Sequence, residues 1–136
     1  MSRGARTDSC DREQARVRLR QARKFLEVAQ MVAAEEGEEA LSVSAALAVL
    51  SGIAASDAAC CAALGRRSRS QDHRDALDLV TNIVPGGPET AKQLGRLLNL
   101  KDTASYGMTF VSRSKVAAAL RQAGDVVDFA GRVVRR

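Results

Sequence analysis

The densest basic cluster of this 136-residue chain surrounds its only histidine, His73. Imidazole exchanges a proton near neutral pH, and a guanidinium group stays charged and binds phosphate oxygens with two donors. The cluster therefore predicts an anion or phosphodiester site in which Arg67 stabilises phosphate charge and His73 transfers protons. The other arginines of the cluster are predicted to bind phosphate: Arg66, Arg69 and Arg74.

Two further segments supply the rest of the predicted site. Asp57 interrupts a long stretch that contains no other acidic or basic residue. Burying an unpaired carboxylate is costly, so we expect Asp57 to pair with Lys101 or Arg67 in a structural role. Lys101 is also a predicted phosphate ligand, and Asp102 and Tyr106 are expected to support the site. We expect these groups to converge with His73 at one end of the fold, counting both copies of a dimer.

Each of these residues also has an ordinary structural interpretation. His73 can be a surface residue that caps a helix beside Asp72, and the arginines can belong to a solvated loop. Tyr106 can be a core residue whose hydroxyl finds a partner. One histidine cannot readily act as both acid and base, so catalysis would require a dimer that brings two copies together.

The basic residues outnumber the acidic ones, with a net charge of +5 and a pI of about 9.6. Such a charge attracts polyanions, which makes RNA or a nucleotide the first partner class, although it can also serve solubility alone. The chain is 46% hydrophobic and 27% charged, which is typical of a globular protein. We predict a flexible tail over residues 1–8 and a single domain over residues 9–136.

The three cysteines, Cys10, Cys60 and Cys61, are odd in number and form no CxxC motif. This usage predicts free thiols that fill apolar space in a reducing, cytoplasmic protein. No metal-ligand spacing or cofactor motif is present, so we expect neither. The first 24 residues carry arginines and no apolar core, so no secretory signal is expected. The apolar stretch 40–64 predicts a buried bundle helix, and we expect no membrane contact.

Apolar residues recur at steps of three and four along most of the chain, which predicts an all-α fold. The predicted helices cover about 9–36, 42–64, 72–84, 89–106 and 114–135, and no run alternates as a strand does. The second helix is apolar on every face, so we expect it at the centre of the bundle. The strongest turn is predicted at residues 85–88, where two prolines flank two glycines.

One face of the first predicted helix is basic. Its four cations, Arg12, Arg16, Arg20 and Lys24, are spaced four residues apart. Like charges at this spacing repel each other on a helix. Either solvent screens them or an anion lies along them.

Two segments together resemble the HEPN superfamily of small helical bundles, and an actinobacterial subgroup in particular. The first is Gly65-Arg-Arg-Ser-Arg-Ser-Gln-Asp-His73, at the end of the small-residue helix. The second, Leu97-Leu-Asn-Leu-Lys-Asp-Thr-Ala-Ser-Tyr-Gly107, is similar to the "arginine, two residues, Ala-Asp-Tyr" signature that precedes the last helix of many members. The resemblance covers about residues 10–134.

The resemblance implies a four- to five-helix up-and-down bundle that often forms a homodimer. Many members are metal-independent RNases that carry an arginine, four to six residues and a histidine, and two such motifs meet across the dimer. Others bind nucleotides or act as inactive partners in toxin–antitoxin and defence systems. Arg67 and His73 have the matching separation, with five residues between them. The family motif normally precedes the last main helix, where this chain has Lys101 and Tyr106.

Three functions are therefore open at the level of sequence. The first is a HEPN-like endoribonuclease, or an RNA- or nucleotide-binding component of a toxin–antitoxin or defence system. The second is a non-catalytic, antitoxin-type module that binds a protein partner. A helical DNA-binding domain ranks last, since no recognition helix with base-reading polar residues stands out.

Overall fold

The protein is an all-helical bundle with one short strand pair, as seen in a computed structural model that describes residues 6–69 and 73–136 except the side chain of His73. The predicted all-α class and the five predicted helices are confirmed. In chain order the elements are β1 (Thr7–Ser9), α1 (Arg12–Ala33), α2 (Glu38–Leu64), β2 (Arg66–Ser68), α3 (His73–Thr81), α4 (Gly87–Tyr106) and α5 (Arg113–Arg135).

Local chemistry explains where the two longest outer helices begin. The side chain of Asp11 accepts a hydrogen bond from the backbone of Gln14, and the Gln14 side chain accepts one from the backbone of Asp11. This reciprocal capping box satisfies two amide groups at the start of α1. Ser112 caps the start of α5 in the same sense, through the amide of Lys115.

The break between α1 and α2 lies at Gly37, as the sequence predicts, but α2 begins earlier than expected. Gly37 has a φ of 104°, a conformation that favours glycine. Glu38 and Glu39 then form the first turn of α2, where carboxylates interact favourably with the positive end of the helix dipole. At the other end Gly65, with a φ of 72°, is the C-cap that the sequence predicts.

Helix α2 is the central element and packs against all four other helices. Its small residues let neighbouring helices approach closely. A Cβ atom at Gly52 would lie 2.6 Å from a methyl carbon of Leu97 in α4. The hydroxyls of Ser44 and Ser51, both fully buried, donate to the carbonyls of Ala29 and Ala22 in α1, at 2.7 and 2.8 Å. These bonds remove the cost of burying two polar groups at the α1–α2 contact.

The expectation that α2 is surrounded on every side is only partly met. Val43 and Leu50 are 51% and 43% exposed on one side of the helix. Helix α2 has the length and apolar composition of a membrane span, and 61% of its most apolar window is buried inside the bundle. A core helix of a bundle passes the same test, so composition does not separate the two.

The turn between α3 and α4 lies where the two prolines and two glycines predict it. Helix α3 ends at Thr81, and α4 begins at Gly87, two residues earlier than predicted. A Cβ atom at Gly87 would collide with the carbonyl oxygen of Val80. Only glycine fits at this close approach of the chain to the end of α3.

The strand pair corrects the sequence-based description of the N-terminus. Thr7, Asp8 and Ser9 pair antiparallel with β2, so residues 7 and 8 belong to the folded unit and not to a flexible tail. The amide of Cys10 also donates to the carbonyl of Gly65, at 3.0 Å. The start of the chain is thereby held against the C-terminal end of α2.

The same contact corrects the prediction that all three cysteines are free. Cys10 and Cys61 form a disulfide that links the end of β1 to the last turn of α2. The strand pair brings these positions together although 51 residues separate them in sequence. Cys60 is the free cysteine of the described residues, and it is buried as predicted. Burial, reinforced by the nearby carboxylate of Asp57, raises the pKa of its thiol to about 12, so it is unreactive at neutral pH.

Candidate functional site

Asp57 is the centre of an ionic cluster at the C-terminal half of α2. Its Oδ2 atom accepts hydrogen bonds from Nε and Nη2 of Arg18, at 3.1 and 2.8 Å, and from Nη1 of Arg67, at 3.3 Å. The predicted Asp57–Arg67 pair is confirmed. Arg18, which the sequence did not indicate, is the closer partner and comes from the facing side of α1.

In this cluster, attraction to two arginines partly offsets the cost of burying the Asp57 carboxylate. Only 12% of the Asp57 side chain is exposed, compared with 25% for Arg18 and 39% for Arg67. Burial raises the pKa of the Asp57 carboxyl group above its ordinary value of 3.8, while the two guanidinium groups oppose that rise without cancelling it. The arrangement is that of a structural clamp which joins α1, α2 and β2.

Replacing Asp57 with alanine is expected to lower the free energy of unfolding by about 1 to 3 kcal/mol at neutral pH. The two guanidinium groups would keep their positions without a carboxylate, and the loss typical of a buried pair is reduced here by solvent screening. Urea denaturation measures the change. Asp128→Ala, at an exposed position of α5, is the matched control and should change stability little.

The contribution of Asp57 to stability should change with pH in a definite direction. Because the folded-state pKa of Asp57 is raised, proton binding favours the folded chain. The stability of the wild type relative to Asp57→Asn should therefore fall as pH rises from about 3.8 through the folded-state pKa, and then level off. An opposite slope would mean that attraction by the arginines outweighs burial.

A cavity of about 390 Å³ adjoins this cluster, between β1, α1, α2 and β2. The disulfide forms part of its wall, and polar side chains line much of the rest. Its lining residues are Asp8, Ser9, Cys10, Gln14, Val17, Arg18, Gln21, Cys61 and Arg67. Both cavity-lining arginines hydrogen-bond to Asp57, so they are partly neutralised before any ligand arrives.

The predicted basic cluster is only partly described. Arg66 is exposed, Arg67 pairs with Asp57, and Nη1 of Arg69 lies 3.3 Å from the carboxylate of Asp8. Arg74 is exposed in the first turn of α3. Residues 70–72 and the side chain of His73 lie outside the described part of the chain, so the catalytic pairing of Arg67 with His73 stays a prediction.

Lys101, Asp102 and Tyr106 lie far from Arg67 within one chain. Their helix, α4, runs past Gly52 at Leu97 and then toward the N-terminal end of α2, where Ala104 packs beside the cluster of Leu41 and Ala45. At 1.5 Å per residue, Lys101 is therefore roughly 25 Å from the C-cap of α2 along its axis. The expected convergence of the two segments does not occur within one chain.

The side chains of this second group also differ from expectation. Tyr106 is 78% exposed, so its interpretation as a core residue is wrong. Asp102 is exposed and Lys101 is half-buried. The structure thus offers Lys101 and its neighbours as surface groups at the end of the bundle opposite the disulfide.

A second basic surface, which we call the arginine cleft, lies between the start of α1 and the end of α5. It is an open depression of about 630 Å³, lined by Arg12, Arg16, Leu19, Arg23, Val134, Arg135 and Arg136. Among the described residues, the carboxylate that pairs with one of these arginines is Glu13, whose Oε2 lies 3.2 Å from Nη1 of Arg16. That pair is highly exposed and therefore weak.

Backbone contacts hold parts of the arginine cleft in place. Nη1 of Arg12 donates to the carbonyl of Val134 at 3.1 Å, and the guanidinium of Arg136 donates to the carbonyls of Val84 and Pro85. Carbonyl partners orient a guanidinium group and offset its charge less than a carboxylate would. The cleft therefore combines fixed geometry with a high density of positive charge.

Gly131, a buried residue of α5, lies beneath two of these arginines. A Cβ atom there would lie 3.2 Å from Nη2 of Arg23 and 3.4 Å from Nη1 of Arg135. Both nitrogens therefore approach one backbone position from different helices. Two guanidinium groups that approach the same position are suited to bind an oxyanion such as a phosphate.

The sequence indicated only the part of this cleft that α1 supplies. Arg12 and Arg16 belong to the basic face predicted for the first helix, whereas Lys24 of that face pairs with Glu27 at 3.1 Å. The contribution of α5 was missed, because its final arginines also have the ordinary role of complementing the negative end of the helix dipole. Only the packing of α5 against α1 joins the two sets.

The described residues contain no group of three or more histidine, cysteine, aspartate or glutamate side chains placed to hold a metal ion. Comparison with models of known protein families finds no match, and neither does comparison with curated protein sequences.

Proposed function

We propose that this protein is a HEPN-like helical module that binds RNA by its phosphate backbone in the arginine cleft. The observation that carries the proposal is the meeting of five guanidinium groups around one open cleft, three from α1 and two from the C-terminal end of the chain at α5. One weak, exposed carboxylate contact accompanies them in the described chain. A polyanion would relieve the mutual repulsion of these groups and release its own counterions on binding.

The position of the cleft on α1 strengthens this inference. Arg12 lies in the first turn of that helix, where the dipole disfavours positive charge, and Arg16 repels it from the next turn. Two residues with these unfavourable interactions face further arginines from α5. A bound anion offsets all of these repulsions together, whereas solvent screening offsets each only in part.

The lining of the cleft also defines how RNA would be recognised. It contains arginines, a leucine and a valine, and no aromatic side chain on which a base could stack. Backbone contacts position a nucleic acid and carry no sequence information by themselves. We therefore expect binding with little sequence preference and without a metal ion.

The direct test is fluorescence anisotropy of a labelled single-stranded RNA in the presence of EDTA. The double variant Arg12→Ala/Arg135→Ala removes one charge from each wall and should weaken binding at least about tenfold, since charge-assisted hydrogen bonds are lost. Its matched control is Arg113→Ala/Lys115→Ala, which removes two exposed charges from the opposite end of α5. Equal affinity of both double variants would overturn the proposal, and preferential binding of duplex DNA would redirect it.

A second candidate function, metal-independent RNA cleavage, has a separate basis. Strand β2 places Arg67 at the C-terminal end of α2, and α3 begins at His73, so both residues flank one short connection. His73 would transfer protons, and Arg67 would stabilise the phosphorane. Incubation of total RNA with the protein under EDTA tests this function. Undiminished cleavage by His73→Ala would exclude that histidine, while RNA binding in the cleft would be unaffected.

A further inference from the structure

The cavity beside the disulfide carries opposite charges on one of its walls. Asp8 of β1 and Arg67 of β2 both line it, and they are direct partners in the antiparallel strand pair. The side chains of such partners leave the strands on the same face, with Cβ atoms about 5 Å apart. These two residues do not pair with each other, because Arg67 pairs with Asp57 and Asp8 pairs with Arg69. The wall therefore presents a carboxylate and a guanidinium group side by side.

Both groups keep hydrogen-bonding capacity for a ligand. Arg67 donates to Asp57 through Nη1, and Asp8 accepts from Arg69 through Oδ1. Among the described residues, no partner bonds to Nε or Nη2 of Arg67 or to Oδ2 of Asp8. The Arg67 and Asp8 side chains are 39% and 44% exposed, so solvent reaches both. A ligand in this cavity can therefore accept hydrogen bonds from one group and donate to the other.

Helix α1 supplies another wall of the cavity, which is rich in hydrogen-bond donors. Gln14, Val17 and Gln21 lie at steps of three and four residues, so they share one side of the helix. The side-chain oxygen of Gln14 accepts from the backbone of Asp11, and that of Gln21 accepts from Nη1 of Arg18 at 2.7 Å. Because both oxygens are engaged, the two amides are left with their NH₂ groups as donors. This wall is therefore suited to an anionic oxygen acceptor.

We propose that this cavity binds a free acidic α-amino acid. Its ammonium group donates to Asp8, its α-carboxylate accepts from Arg67, and its side-chain carboxylate accepts from the amides of Gln14 and Gln21. One carbon separates the ammonium and carboxylate groups of an α-amino acid, which matches the side-by-side placement of Asp8 and Arg67. The cavity volume of about 390 Å³ lies within the range of about 300 to 1,000 Å³ that is typical of small-molecule sites.

Other ligands match this lining less well. A metal ion would be repelled by the guanidinium groups, and an inorganic anion would be repelled by Asp8. The site is also separate from the proposed RNA-binding surface. The α1 residues that line the cavity, such as Gln14 and Arg18, lie about half a turn around the helix from Arg12 and Arg16 of the arginine cleft. The amino acid site therefore neither requires RNA binding nor competes with it.

Isothermal titration calorimetry of the oxidised full chain tests the proposal. The probes are L-glutamate and L-aspartate, each compared with the dicarboxylate that lacks only its amino group, glutarate or succinate. At least one amino acid should bind, and its dicarboxylate should bind at least about tenfold more weakly, because the hydrogen bond to Asp8 is lost. The proposal is overturned if neither amino acid binds at about 10 mM. It is also overturned if the dicarboxylate binds as tightly as its amino acid.

The variant Asp8→Asn tests the role of the carboxylate in the wall. It should weaken binding of the amino acid at least about tenfold without weakening binding of the dicarboxylate. Asp128→Asn, at an exposed position of α5, is the matched control and should bind both ligands as the wild type does. Amino acid binding that Asp8→Asn leaves unchanged would contradict the proposal. RNA affinity, measured by anisotropy, should be the same with and without the amino acid, so failure of one proposal is distinguishable from failure of the other.

Discussion

Loss of the Cys10–Cys61 disulfide is expected to lower the free energy of unfolding by about 4 kcal/mol, as a chain-entropy treatment gives for a loop of this length. The bridge spans 51 positions, and it ties the N-terminal strand to the central helix. Without it, the unfolded chain gains conformational freedom that the folded chain does not. Urea denaturation of Cys10→Ala beside the oxidised wild type measures the difference.

Chemical reduction of the disulfide gives an independent measurement of its contribution to the free energy of unfolding. A thiol reductant should destabilise the wild type to a similar extent and leave Cys10→Ala unchanged. Cys60→Ala should keep its sensitivity to reductant, because Cys60 lies outside the bridge. If the fully reduced wild type, verified by thiol titration, unfolds at the same urea concentration as the oxidised protein, the expected stabilisation is contradicted.

The bridge also bears on where the protein works. The cytoplasmic location predicted from the sequence rested on three free thiols, and the structure pairs two of them. Disulfides persist mainly in oxidising compartments, so that support for a cytoplasmic location is lost. Mass spectrometry of alkylated protein from its native host would show which oxidation state prevails.

The helices could be predicted because each long helix repeats its signal many times. Ala15, Leu19, Ala22 and Ala29 recur at helical spacing in the sequence, and all four are buried in α1. In α5 the corresponding positions Val116, Ala123, Val127 and Ala130 are buried as well. Amphipathic periodicity identifies the face of a helix that packs against the core, so these buried positions could be predicted from the sequence.

The strand pair and the disulfide could not be predicted in the same way. Each strand has three residues, which is too short for an alternating pattern to stand out. Their pairing depends on the end of α2 arriving beside the start of α1, and that is a tertiary event. Cysteine spacing alone leaves the pairing of Cys10 open, since Cys60 and Cys61 are neighbours in sequence.

In the candidate sites, too, some contacts could be predicted from the sequence and others depend on tertiary packing. A buried carboxylate must find a partner, so the pairing of Asp57 with a nearby arginine followed from elementary electrostatics. Its closer partner, Arg18, is 39 positions away and becomes visible only through the packing of α1 on α2. The arginine cleft was likewise predicted only in part. The basic face of α1 is evident in the sequence, whereas the contribution of α5 depends on how α5 packs against α1.

RNA binding in the arginine cleft is expected to depend steeply on salt. If each of its five arginines neutralises one phosphate of a single strand, the logarithm of the binding constant should fall with the logarithm of salt concentration at a slope of about −3.5. Raising salt from about 50 to 200 mM should then weaken binding roughly a hundredfold. Anisotropy titrations at several salt concentrations give the slope directly.

The two double variants test whether the salt dependence of RNA binding arises from the arginine cleft. Arg12→Ala/Arg135→Ala removes two of the five contacts, so the slope should become shallower by about 1.4. Arg113→Ala/Lys115→Ala should keep the wild-type slope, because its missing charges lie at the far end of α5. A weaker affinity with an unchanged slope in the first variant would show that the cleft arginines act on folding and not on phosphate, since only direct phosphate contacts set the number of released counterions.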